Sequence, residues 1–254
     1  MNGTLFLVSM PIGNPEDITL RALRVLREAA LIAAEDAHIT RSFLHLHRIP
    51  TEVLSYRPRH VPVPKGEELG SAGEREEPDR IPCSNAEIGS DASVLGRIRA
   101  LLASGRDVAA VCDAGTPLLA DPGARLVHQA LGWGAKVVPV PGPSAALAAL
   151  VVSDLPTGRF AFDGFPPRSR ADRQAFFTAL QGETRTIILY ETRRYLRSTL
   201  QALSASLGPN RRMALARSLT TPAESLFRGS LAEALFHIQP EPPHGEYVLI
   251  LSPR

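Results

Sequence analysis

Apolar positions in the first 140 residues fall into two alternating patterns, and each predicts an element. Short, mostly apolar runs at residues 4–9, 31–34, 52–55, 107–112 and 136–140 read as strands. Between them apolar residues recur at helical spacing. Ala22, Leu23, Leu26 and Ala29 mark one side of a helix that Asp17 can cap. A short helix fits residues 40–47. Val94, Ile98, Leu101 and Leu102 mark another helix that stops at Gly105, and Leu126, Val127 and Ala130 mark one that ends at residues 132–134. Strands separated by helices predict a parallel sheet covered on both faces. Residues 57–93 break the pattern. They are rich in Pro, Gly, Glu and Ser and read as a long surface loop.

The second half opens with PGPSAALAALVVS, a helix introduced by proline and serine. Strands are expected at residues 159–162, 186–190, 212–216, 224–227 and 246–251, with helices at 169–180, 195–207 and 231–238. Some of these strands follow one another without a helix between them, which predicts a mixed sheet. The expectation is an α/β protein of two α/β domains, residues 1–140 and 141–254, joined near Pro141.

Composition narrows the class. The chain has 254 residues, 44% hydrophobic and 21% charged, as in a soluble globular protein. Apolar runs such as residues 145–152 are too short to span a bilayer. The first residues lack a basic stretch and are broken by Pro11 and Gly13, so they read as a strand and not a signal peptide. Cys83 and Cys112 read as free thiols in a reducing compartment, which suits the cytoplasm. Seven histidines show no metal-ligand spacing, and no metal is expected. Charge is uneven although the net is only +2: residues 159–228 hold twelve arginines against five acids. Arginine suits bidentate phosphate contact, so this excess favours a nucleic-acid partner over a solvated surface only in part.

In an open α/β sheet, ligands bind beyond the carboxyl ends of the strands. Those ends here carry Ser9 to Asn14, Glu35 and Asp36, Asp113 to Pro117, and Pro139 to Ser144. A parallel sheet would place them on one rim. The rim offers carboxylates and tight turns but no lysine and no glycine-rich phosphate loop. A diphosphate is a poor guest. A ligand with hydroxyls, a cationic group and a flat heterocycle fits better. Each acid read singly is also an ordinary helix cap.

At these residues the segments GTLFLVSMPIGNPEDITLRAL, LIAAEDAHIT, VCDAGTPLLADPG and VPVPGPSAALAAL, in that order, resemble the tetrapyrrole methylase superfamily. More narrowly they resemble its ribosomal RNA small subunit methyltransferase I branch. FDGFPPRSR, TIILYETRRYL and HGEYVLIL agree with later segments of that branch. The resemblance covers nearly the whole chain apart from residues 57–93. It implies the two-domain class III methyltransferase fold, a homodimer, S-adenosylmethionine as cofactor, and 2′-O-methylation of a cytidine in the decoding region of 16S rRNA in the small ribosomal subunit. Carried over by position, the cofactor residues are Pro11, Asp113, Gly115, Thr116, Pro117, Ser144, Ala145, Tyr190 and Glu246. The RNA contacts expected in the basic half are Arg168, Arg170, Arg193 and Arg217.

The chain departs from the branch in places. AEDTR becomes Glu35-Asp36-Ala37-His38 after Ala34, and RELTK becomes Arg217-Ser218-Leu219-Thr220-Thr221. The cofactor half of the pattern is kept better than the RNA-facing half. Methyl transfer needs alignment and a general base. Glu35, Asp36 and Asp113 are the candidates by position, with His38 a further one. Glu191 either faces the cleft or pairs with Arg193 or Arg194. Two other classes stay open: a corrinoid or porphyrin methyltransferase, and an RNA-binding paralogue that no longer transfers methyl.

Overall fold

The computed structural model describes residues 2–56, 91–121, 123–240 and 242–254. Most of the loop expected at 57–93 lies outside the described residues, with Cys83. Its last three positions open a helix instead. The chain divides into two compact units, the first ending at Ser144 and the second beginning at Ala145.

The first unit is a five-stranded sheet of β1 (Thr4–Val8), β2 (Leu31–Ala34), β3 (Val53–Ser55), β4 (Val108–Val111) and β5 (Lys136–Val140) in the order β3-β2-β4-β1-β5. Every pairing is parallel, as expected. The inner strands β2 (LIAA) and β4 (VAAV) are buried at every position. Alternate side chains serve opposite faces, as the pleat requires. Ile32 and Ala109 pack with Val25, Leu26 and Leu44 of α1 (Leu20–Glu28) and α2 (Ala37–Leu46). Leu31 and Val108 pack with Ile98, Leu102 and Leu126 of α3 (Asp91–Ala103) and α4 (Ala124–Gly132). Two apolar layers therefore sandwich the sheet.

One cap differs from expectation. Helix α1 is capped by Thr19, whose Oγ1 accepts from the N–H of Ala22 at 3.0 Å, and not by Asp17. Residues Pro15–Asp17 form their own 3-10 turn, capped by Asn14, and so lie outside α1.

The second unit runs α5 (Ala145–Val151), β6 (Phe160–Gly164), α6 (Arg170–Ala179), β7 (Thr186–Thr192), α7 (Arg193–Leu207), β8 (Arg212–Arg217), β9 (Ser225–Ser230), α8 (Leu231–His237) and β10 (Glu246–Leu251). Its sheet has the order β6-β7-β10-β8-β9. Only β6 and β7 pair in parallel; β7–β10, β10–β8 and β8–β9 are antiparallel. The mixed sheet is thus as expected. Its core joins Ile187, Leu189 and Leu249 of the strands to Phe177, Leu196, Leu200 and Leu203 of the helices. Among the described residues no helix is long and apolar enough to cross a membrane.

The capping assignment has a direct test. Thr19→Ala should lower the free energy of unfolding in urea by about 1 kcal/mol, whereas Asp17→Ala should stay within about 0.5 kcal/mol of the parent.

Candidate functional site

Parallel pairing brings the ends of β1, β2, β4 and β5 to one edge of the first unit, where they are tied together by hydrogen bonds. Met10, beyond β1, and Gly115, beyond β4, exchange backbone hydrogen bonds at 2.8 and 3.1 Å. Gly115 has φ +77°, a left-handed conformation that suits glycine, so the turn needs this residue. The Oγ of Ser9 donates to Thr116 Oγ1 at 3.2 Å, and Thr116 Oγ1 donates to the carbonyl of Pro143 at 3.1 Å. Gly142 lies so close to Ser9 that an added Cβ would stand 3.0 Å from the serine Cβ. The segments holding Pro11, Gly115, Thr116, Pro117 and Ser144 are therefore neighbours on one rim.

The acids of the rim are linked across strands. Asp113 Oδ1 accepts from the N–H of Asp36 at 2.9 Å, and Glu35 Oε2 accepts from the N–H of Asp113 at 3.4 Å. Asp36 is also the N-cap of α2, where its Oδ1 accepts from the N–H groups of His38 and Ile39. All three side chains are partly exposed, and His38 is exposed. Backbone N–H groups therefore orient each of the three carboxylates at the rim.

Cys112 packs beneath the turn. It is 3% exposed, and its thiol donates to the carbonyls of Ala114 and Gly115 at 3.2 and 3.4 Å. Burial, with Asp121 and Glu35 nearby, pushes this thiol well above its usual range, so it shapes the turn and is poorly suited to act as a nucleophile. The supporting parts played by Ser9, Cys112 and Gly142 were not readable in sequence. Only their position at strand ends marked them.

The hydroxyl of Ser144 is the telling atom. It is buried and has no protein partner among the described residues. A buried hydroxyl without a partner costs free energy, about 1–3 kcal/mol, unless a ligand satisfies it. With the peptide groups of the Gly115 turn and three carboxylates on the same rim, this donor set suits a ligand bearing amine, hydroxyl and flat aromatic parts. Among the described residues no group of three or more His, Cys, Asp or Glu side chains has the arrangement of a metal site.

The second unit holds the remaining expected residues. Ala145 opens α5, and the next N–H, from Ala146, donates to the hydroxyl of Tyr190 at 3.1 Å. The Tyr190 ring meets Phe162 and Phe165 edge-on, with centroids 4.9 and 5.6 Å away. Glu246 is exposed at the start of β10. Arg170 is exposed at the start of α6. Arg193 Nε donates to the carbonyl of Pro242 at 2.7 Å. Arg217 donates to Ser225 Oγ at 2.9 Å and to the carbonyl of His244 at 3.0 Å. Glu191 is 1% exposed and pairs with neither Arg193 nor Arg194. Its partners are Arg168 at 3.1 Å and Arg173 at 3.8 Å. Sequence proximity pointed to the wrong arginines because those two begin α7, while the end of β7 turns its carboxylate inward.

The profile of the Tetrapyrrole (Corrin/Porphyrin) Methylases matches residues 4–235. The chain is 37% identical to the Ribosomal RNA small subunit methyltransferase I of Thermotoga maritima, over 98% of each chain. It is 42% identical to the protein of that name from Pseudomonas aeruginosa, over 91% of this chain and 71% of the relative. A solved structure of uroporphyrin-III C-methyl transferase from Thermus thermophilus, complexed with S-adenyl homocysteine, superposes with a TM-score of 0.58 at 20% identity, covering 98% of this chain and 97% of the other. That likeness is one of fold, and it agrees with the parallel and mixed sheets described above. The chain belongs to the tetrapyrrole (corrin/porphyrin) methylase family, in its ribosomal RNA small subunit methyltransferase I branch.

Proposed function

We propose that this chain is an S-adenosylmethionine-dependent methyltransferase that 2′-O-methylates a cytidine ribose in the decoding region of 16S rRNA, working as a homodimer on the small ribosomal subunit in the cytoplasm. The observation that carries the reading is the near-full-length likeness to small subunit rRNA methyltransferases. The rim supports the choice of cofactor through the buried, unpartnered hydroxyl of Ser144 and the turn at Gly115.

Bound S-adenosylmethionine supplies a methyl group activated by a sulfonium. The turn at Gly115, held by its paired hydrogen bonds to Met10, would place the peptide groups of Thr116 and the carbonyl of Pro117 beside the ligand, and Pro11 borders the same turn. The hydroxyl of Ser144 would hydrogen-bond a polar group of the ligand. Glu35, Asp36 and Asp113 set a negative field that attracts the sulfonium and amine, worth about 1–4 kcal/mol for a near pair at the edge of a protein. One of these carboxylates would accept the proton of the ribose hydroxyl, a role that contributes about 10²–10⁴-fold. The excess of arginine in residues 159–228 favours a polyanionic acceptor over a tetrapyrrole.

Incubation with methyl-labelled S-adenosylmethionine and unmethylated 30S subunits, followed by nucleoside analysis, tests the function. Label in 2′-O-methylcytidine is expected. Label in a uroporphyrinogen or precorrin and not in the subunit would transfer the reading to tetrapyrrole chemistry. Cofactor binding without transfer to either acceptor would leave an RNA-binding paralogue.

Two variants test the rim. Ser144→Ala should weaken S-adenosylmethionine binding in calorimetry by about threefold to tenfold, the worth of one hydrogen bond, without lowering Tm, because the hydroxyl has no protein partner to lose. Asp113→Asn keeps an oxygen that can accept from Asp36 and removes the charge. It should weaken S-adenosylmethionine several-fold more than neutral-sulfur S-adenosylhomocysteine; equal losses would remove the charge argument.

A further inference from the structure

The second unit contains an ion pair that packing alone does not call for. The buried carboxylate of Glu191 accepts from Arg168 Nη1 at 3.1 Å, from the N–H of Thr192 at 2.8 Å and from the hydroxyl of Thr199. Arg173 donates to the same Thr199 hydroxyl. A buried pair of this kind gives little net stability over apolar residues of similar volume. What it supplies is geometry. The guanidinium of Arg168 lies 4.1 Å from the centroid of the Tyr195 ring and 6.0 Å from that of Phe165. It is fixed along one edge by Glu191 and over one face by Tyr195. Arginine has five N–H donors, and Glu191 is the only acceptor Arg168 has among the described residues. Its side chain keeps 23% exposure, so donors remain for an outside acceptor.

A second observation is independent of the first. Helix α7 begins with Arg193 and Arg194, has no acid in its first turn, and receives no side-chain cap from Thr192. Cations at a helix N-terminus oppose the macrodipole at about 0.3–1 kcal/mol each. Arg193 is tied to Pro242. Arg194 is exposed, and its guanidinium lies 5.3 Å from the same Tyr195 ring. Two cations thus share one ring beside the positive end of a 15-residue helix. The exposed acid of the neighbouring helix, Asp172, is engaged by Ser169. This is a local arrangement that an added anion relieves, and local rules are broken mainly where function requires it.

We infer that Arg168 and Arg194, flanking Tyr195, form a preset cradle for a backbone phosphate of the RNA acceptor, and that Glu191 is a positioning residue holding Arg168 in it. The inference rests on the rRNA methyltransferase reading above. The ordering of Arg168 occurs on folding, so less rotamer freedom is lost when the strand binds.

Equilibrium binding of the full chain to an rRNA fragment spanning the decoding region, measured across salt concentrations, tests it. Each single-strand phosphate that is no longer neutralised should flatten the slope of log K against log salt by about 0.7. Arg194→Ala and Arg168→Met should each show that flattening and bind RNA several-fold more weakly. Glu191→Gln should weaken RNA binding in the same direction, with S-adenosylmethionine affinity and Tm followed alongside. Unchanged slopes in both arginine variants, or RNA and cofactor affinity falling together with Tm, would overturn the cradle in favour of a purely structural clamp. Should Arg168→Met fail to fold, the exposed Arg194→Ala decides alone. A parent protein that binds no RNA sinks the proposed function itself; a parent that binds while the variants keep its slope sinks only the cradle.

Discussion

Parallel pairing of four strands is the constraint on which the candidate site depends. Because β1, β2, β4 and β5 run the same way, their carboxyl ends and the turns beyond them fall on one edge. Residues as distant in sequence as Ser9, Thr116 and Pro143, and likewise Glu35 and Asp113, then become hydrogen-bonding neighbours. No single motif makes the rim. It follows from strand direction, and the local chemistry of each turn is fitted to that edge.

The two units solve the problem of placing charge differently. At the rim of the first, carboxylates are held by backbone N–H groups and the side chains stay partly exposed. In the second, the carboxylate of Glu191 is taken inside and answered by arginine, threonine and peptide donors. One arrangement leaves negative charge partly exposed at a strand edge. The other sets a hidden negative charge against arginine.

Much of this was legible in the sequence because both sheets announce themselves through periodicity. Apolar runs marked most strands, with β9 (SLFRGS) the weakest and three residues longer than expected at its end, and the parallel and mixed characters followed from whether helices intervened. The rim segments were also legible, since unusual residues cluster after those runs. The misses share a physical cause. Asp17 is the better cap than Thr19 by residue type, but the 3-10 turn at Pro15–Asp17, which no periodicity reports, takes it out of the position before α1. The partners of Glu191 could not be read off because a salt bridge spanning 23 residues, to Arg168, joins the loop before α6 to the end of β7. An unpartnered hydroxyl such as that of Ser144 is a property of surroundings and leaves no mark in the chain itself.

The middle of the first sheet is lined by alanine: Ala33 and Ala34 on β2, Ala109 and Ala110 on β4, each with 9% exposure or less. Such short side chains let helices settle close on both faces, and they leave no slack for a larger residue. Strand centres are thus closed to innovation, while the turns beyond them can be rewritten one at a time. Divergence of acceptor within such a scaffold is channelled to its margins, where a new guest can be accommodated without disturbing the frame.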